Sequence, residues 1–165
     1  MIRKFFILYV LLNWVFSYNI FSQEYPFSIY KNFEELQKNH IQVSDDRIHV
    51  INFWATWCAP CIKEMPFIDA LTSKYGNQIK VTFVSLDFPK RIDTALIPFL
   101  EKSDLKSEVV LLDDARANRW IDLVDPDWSG AIPATLIIKN GKRAFYEREF
   151  HSFEEIESVV LKLNQ

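Results

Sequence analysis

Two cysteines, Cys58 and Cys61, stand where one hydrophobic pattern gives way to another, and the chain of 165 residues has no others. Before them Ile48-His49-Val50-Ile51-Asn52-Phe53-Trp54 is an apolar, β-branched run that reads as a buried strand. After them Ile62, Met65, Phe67, Ile68 and Leu71 recur at roughly helical spacing, so a helix begins at or near the pair. A thiol at such a turn meets the unpaired N–H groups and the positive end of the helix dipole. That environment favours the thiolate, the form that attacks disulfides. Cys58 is therefore the expected nucleophile. Cys61, one turn on, is placed to resolve the mixed disulfide and close a ring with it. Pro60 suits a first helical turn, because its φ is fixed and no N–H partner is needed there.

A C-x-x-C pair has other uses. A zinc site takes about four ligands, but there is no second cysteine pair, and His40, His49 and His151 show no ligand spacing. A structural staple gains most from a long loop, and this loop is minimal. Two thiolates also suit Cu(I), which makes a copper metallochaperone the alternative to a redox enzyme. Copper chaperones of that kind usually add a histidine or methionine, and beyond Met1 only Met65 is present. A peroxide-reducing relative would need a lone peroxidatic cysteine in its own motif, and none is here. No metal and no cofactor beyond the cysteine pair is expected.

The stretch Trp54-Ala55-Thr56-Trp57-Cys58-Ala59-Pro60-Cys61, followed by Glu64-Met65-Pro66, resembles the active site of the thioredoxin superfamily. More narrowly it is similar to the TlpA/ResA-like branch of exported bacterial thiol–disulfide oxidoreductases. A second match, Gly130-Ala131-Ile132-Pro133-Ala134-Thr135-Leu136, resembles that family's cis-proline loop, and the likeness runs from about Phe27 to Leu163. The resemblance implies a thioredoxin-like α/β fold: a central mixed sheet flanked by helices, with the cis-Pro loop beside the C-x-x-C helix. It further implies that Ile132–Pro133 is cis and that Ile132 offers its main chain to an extended substrate. On the same grounds Trp57, Ala59 and Pro60 line the substrate side of the pair. Protein thiols or disulfides are the expected partners, together with an upstream electron donor.

Glu64 follows Cys61 by three residues, on the same helical face. A carboxylate in the first turns of a helix is favourable in itself. Facing inward, it would instead have its pKa raised by desolvation and could hold or take a proton during exchange. Many cytoplasmic thioredoxins carry a buried Asp six residues before the first cysteine. Here that position is Asn52, which can hydrogen-bond but cannot accept a proton. Trp128, just before the cis-Pro loop, is either core packing or part of a substrate groove. The three histidines are expected at the surface or partly packed.

The chain opens with Met1-Ile2-Arg3-Lys4, then an apolar stretch from Phe5 to Phe16 broken only by Asn13, then a more polar run that ends in Ile20-Phe21-Ser22-Gln23, whose Ile20 and Phe21 extend the apolar character. This is the layout of a secretory leader cut after residue 22, or of an N-terminal anchor if uncleaved. Either one delivers residues 23–165 outside the cytoplasm, into the periplasm of a Gram-negative source. A membrane contact is expected only if the leader stays. The net charge of −3 gives no electrostatic footprint for nucleic acid. With 49% hydrophobic and 15% aromatic residues, the mature part can bury one core. One domain and a monomer are expected.

The remaining pattern predicts helices over 33–40, 58–75, 94–102, 115–124 and 152–163, with Pro66 kinking the second. Strands are predicted over 47–54, 79–86, 108–112, 134–139 and 142–150, the last two joined by the hairpin signal Asn140-Gly141. Strand and helix alternate first, and a hairpin with a helix closes the chain, which is an α/β layered arrangement.

Overall fold

The computed structural model describes residues 25–163, so the expected leader at 1–22 lies outside the described residues. In chain order the strands are β1 (Ser28–Tyr30), β2 (Ile48–Trp54), β3 (Ile79–Ser85), β4 (Glu108–Leu112), β5 (Ala134–Lys139) and β6 (Lys142–Tyr146). The helices are α1 (Phe33–Leu36), α2 (Ala59–Tyr75), α3 (Ile97–Lys102), α4 (Ile121–Val124) and α5 (Phe153–Lys162). The strands form one six-stranded sheet in the order β1-β4-β3-β2-β5-β6.

β2 lies inside this sheet and is buried along its whole length, as a continuous apolar run requires when both faces are covered. It pairs in parallel with β3, from Ile48↔Ile79 to Trp54↔Ser85, and antiparallel with β5, where Phe53 faces Ala134. Successive side chains point to opposite faces. Val50 and Trp54 therefore join Met65, Ile68 and Leu71 of α2 and Ile156 and Val160 of α5 in one core layer. Ile51 and Phe53 join Phe33, Leu36, Trp120, Val124 and Trp128 in the other. Each fully buried Leu, Ile or Phe contributes about 1.5–3 kcal/mol by leaving water. The two layers hold β2 from both sides, and the first of them also fixes α2 and hence the turn between the two elements.

The hairpin is as the sequence predicts. Asn140 and Gly141 have φ of 48° and 79°, the pair of positive values that a two-residue type I′ turn requires. α5 is capped by Ser152, whose side-chain oxygen accepts the Glu155 N–H at 3.2 Å. The Glu155 carboxylate accepts the N–H of His151 at 2.8 Å, one residue earlier than a capping box would use.

Other expectations need correction. β1 carries no apolar signature, being three residues at the sheet edge with no buried side chain. The helix predicted over 33–40 is α1 followed by a π-helical turn, Gln37–Ile41. Another π-helical turn, Ile92–Leu96, precedes α3. The helix predicted over 115–124 is a 3₁₀ turn at 117–119 and then α4. Trp120 separates them: its ring stacks on Phe33 and Phe53, its indole N–H donates to the Asp114 carbonyl at 3.1 Å, and its φ of −124° is not helical. β6 stops at Tyr146, four residues short. His40 and His49 are buried rather than superficial; His40 shares a 2.8 Å hydrogen bond with the Tyr30 hydroxyl, and His49 one of 2.7 Å with Asp45.

Candidate active site

The turn from β2 into α2 is built by its own backbone. The Cys58 N–H donates to the Ala55 carbonyl at 3.0 Å, and Cys58 then caps α2 in an extended conformation. Its sulfur accepts the N–H of Cys61 at 3.3 Å, so one of the orphan donors of the helix end points at that atom. Cys58 and Cys61 are joined as a disulfide, their Cα atoms 5.3 Å apart. Both cysteines are buried, but Cys61 has no exposed surface whereas Cys58 keeps 5%. Around it Trp57 is 57% exposed, Ala59 is exposed and Pro60 half-buried.

The Ile132–Pro133 peptide bond is cis, as the resemblance implies. Because Ala134 pairs with Phe53 in an antiparallel register, the proline falls opposite Trp54, the last residue of β2 before the turn that carries Cys58. Ile132 is half-buried and Pro133 buried. Residues flanking the loop hold it. The Trp128 indole N–H donates to the Ala131 carbonyl at 2.7 Å. The Glu147 carboxylate accepts the N–H groups of Ser129 and Ala131, at 3.1 and 3.0 Å, and the Ser129 hydroxyl. Trp128 itself is 4% exposed and packs on Phe53, Trp120 and Phe145, so most of its ring belongs to the core.

Beneath the cysteines lies Glu64, with no exposed surface. Its carboxylate accepts the Asn52 side-chain amide at 2.8 Å and the Phe150 backbone N–H at 2.7 Å. The Asn52 amide nitrogen also donates to the Thr135 hydroxyl at 3.0 Å, and the Asn52 side-chain oxygen has no partner. Burial pushes the Glu64 carboxyl up to about 7, outweighing the two hydrogen bonds that favour its charged form. The structure thus joins Asn52 and Glu64, each singled out in the sequence, and adds Thr135 from the cis-Pro motif and Phe150, which no local pattern marks.

A second buried carboxylate adjoins the same turn. Asp87, two residues past β3 and 1% exposed, accepts the Thr56 N–H at 3.0 Å, the Thr56 hydroxyl at 2.6 Å and the Ser85 hydroxyl at 2.9 Å. An Asp after a strand looks like any loop Asp, so the sequence gives no sign of it. Among the described residues no group of three or more His, Cys, Asp or Glu is arranged to hold a metal ion.

The sequence matches the AhpC/TSA family over residues 27–143. It is 41% identical over 61 residues to the thiol-disulfide oxidoreductase ResA of Bacillus thuringiensis subsp. konkukian, covering 37% of this chain and 34% of that protein. It is 28% identical over 75 residues to the thioredoxin-like protein YneN of Bacillus subtilis, covering 46% of this chain and 44% of that one. The matches thus span less than half the length of these curated relatives. Among solved structures, the thioredoxin-related protein from Neisseria meningitidis serogroup B superposes with a TM-score of 0.63 at 20% identity, over 75% of this chain and 90% of that one. At that identity the likeness establishes the thioredoxin-like fold.

Proposed function

The chain belongs to the AhpC/TSA family and has a thioredoxin-like fold, and from that premise we propose that it is a thiol–disulfide oxidoreductase working as a disulfide reductase outside the cytoplasm. The observation that carries this reading is the disulfide at the N-terminus of α2, in which Cys58 alone keeps some exposed surface. The names of the ResA relatives support the same chemistry.

In the reducing direction the Cys58 thiolate attacks one sulfur of a substrate disulfide, and the other substrate sulfur leaves as a thiolate. The Cys61 thiol then loses its proton and attacks the Cys58 sulfur. The second substrate sulfur is released, and Cys58–Cys61 is left oxidised. Two electrons pass to the substrate. Glu64, one helical turn from Cys61 and titrating at about 7, is suited to take the Cys61 proton in that second step. Trp57, Ala59, Pro60 and Ile132 are the proposed substrate contacts, with Pro133 keeping a backbone N–H away from the sulfurs.

Direction is argued from what surrounds the thiolate. Ala59 and Pro60 bring neither side-chain donor nor cation, Lys63 is exposed, and Glu64 is buried below. Little beyond the helix N–H groups stabilises reduced Cys58, so the disulfide is comparatively stable. Export rests on the leader expected at 1–22; among the described residues no helix is long and apolar enough to cross a membrane. The Cu(I) alternative gains no support: Met65 is 2% exposed within the core, and the matched relatives are named for thiol–disulfide chemistry.

Insulin-disulfide reduction with dithiothreitol as donor, run beside Cu(I) titration of the reduced protein, tests the assignment. Turnover that is lost in Cys58→Ser is expected, together with a mixed disulfide that accumulates on Cys61→Ala. Tight Cu(I) binding without turnover would reject the enzyme reading. Cell fractionation tests export.

A further inference from the structure

We propose that Asp87 is the positioning residue of the redox pair: it fixes the turn that presents Cys58 and so sets how readily that thiol ionises and attacks. The inference rests on the reading of Cys58 as the nucleophile. Asp87 is 1% exposed, and a charged residue persists at such depth only when its oxygens are bonded. Every partner of its side chain donates, which is what a carboxylate can use. Oδ2 receives the Thr56 N–H and the Ser85 hydroxyl, and Oδ1 receives the Thr56 hydroxyl. The Asp87 N–H donates back to the Ser85 oxygen at 3.1 Å, closing the network onto the end of β3.

The consequence runs along the chain. Both polar hydrogens of Thr56 end on this one carboxylate, and Thr56 lies two residues before Cys58 inside the turn closed by the Cys58 N–H and Ala55 carbonyl. Next to it the Leu86 N–H donates to the Trp54 carbonyl at 2.8 Å, so the exits of β2 and β3 leave the sheet together. Asp87 thereby ties the turn of Cys58 to a strand rather than leaving it to the loop. Where the Cys58 sulfur sits relative to the first N–H groups of α2 follows from that tie. Misplacement of a reacting atom by about 1 Å can cost about a hundredfold in rate.

Asparagine and alanine separate the bonds from the charge. An Asn side-chain oxygen accepts the Thr56 N–H and the Ser85 hydroxyl, and its NH₂ donates to the Thr56 oxygen; Ala does none of this. In the full chain, Asp87→Ala, Asp87→Asn and Thr56→Val are reduced, and iodoacetamide alkylation of Cys58 is followed against pH with thermal unfolding alongside. Asp87→Ala is expected to slow alkylation near pH 7 about tenfold and to move its half-maximal pH up by about one pH unit, since only the thiolate reacts. Asp87→Asn should stay within about twofold of wild type by keeping the geometry. Thr56→Val, which loses the hydroxyl bond and keeps the N–H bond, should fall between, and it decides the matter if Asp87→Ala does not fold. Lower melting temperatures with a wild-type alkylation profile in Asp87→Ala and Thr56→Val would make the tie merely structural and overturn the proposal. So would an Asp87→Asn profile as altered as that of Asp87→Ala. Wild-type protein that labels on Cys61 instead would overturn the functional reading, and this inference with it.

Discussion

A carboxyl group with no exposed surface at the foot of a disulfide ties stability to pH in a definite sense. The Glu64 carboxyl, raised by burial from 4.5 to about 7, keeps its proton in the folded chain where an unfolded chain has released it. Its contribution is therefore fully present below about pH 4.5 and is lost as pH rises through about 7, an interval worth about 3 kcal/mol. Denaturant unfolding of the oxidised protein, in which neither cysteine titrates, should show Glu64→Gln gaining on wild type from pH 5 to pH 8. Parallel curves would place the charge elsewhere. If the carboxylate handles the Cys61 proton, the same variant should slow disulfide exchange by on the order of a hundredfold while staying folded; equal rates at every pH would leave Glu64 a buried structural residue. Asn52 and Glu64 stand out in the sequence because each occupies a fixed offset from a cysteine. Phe150 does not, since it acts through a backbone N–H 86 residues away, a group every residue but proline possesses. Asp87 is hidden for a related reason: its burial depends on where β2 and β3 end together.

Among the elements, those with strong periodicity or specific turn chemistry were legible. β2, α2 and the Asn140-Gly141 hairpin each announce themselves within a dozen residues. The three-residue β1 and the broken helix around Trp120 do not, because an edge pairing and an aromatic stack decide them. The cis-Pro loop was readable by resemblance, but not its supports. Glu147 lies just past β6 and reaches back to Ser129 and Ala131, so the hairpin returns the chain to brace the loop that precedes it. Ser129 and Ala131 hold the Glu147 carboxyl below its ordinary range by donating to it. Glu147→Ala should loosen the loop while leaving the cysteine turn alone. Steady-state kinetics with a protein disulfide should then show KM raised about tenfold with kcat changed little, a loss of about 1.4 kcal/mol confined to binding. A fall in kcat alone would mean that the loop does more than receive substrate.

At the scale of the whole molecule, the redox couple and the fold share one thermodynamic cycle. Strong oxidants of this chemistry are strong because their reduced form is the more stable. The surroundings of Cys58 predict the opposite here, with a potential nearer about −270 mV than about −120 mV, a separation of roughly 7 kcal/mol. Equilibration with glutathione or dithiothreitol buffers gives the value, and one more oxidising than about −180 mV would make the protein an oxidant or isomerase. The same cycle requires the oxidised protein to melt above the reduced one. Both states can be followed without a label. Trp54, Trp120 and Trp128 are sealed in the core, whereas Trp57 stands more than half in water one residue from the disulfide. An excited indole beside a disulfide is quenched by electron transfer to the sulfurs, and an indole in water emits at longer wavelength than a buried one. Opening the bond should therefore brighten the emission of Trp57 on the red side of the band, so that the protein reports the state of its own reactive centre as colour.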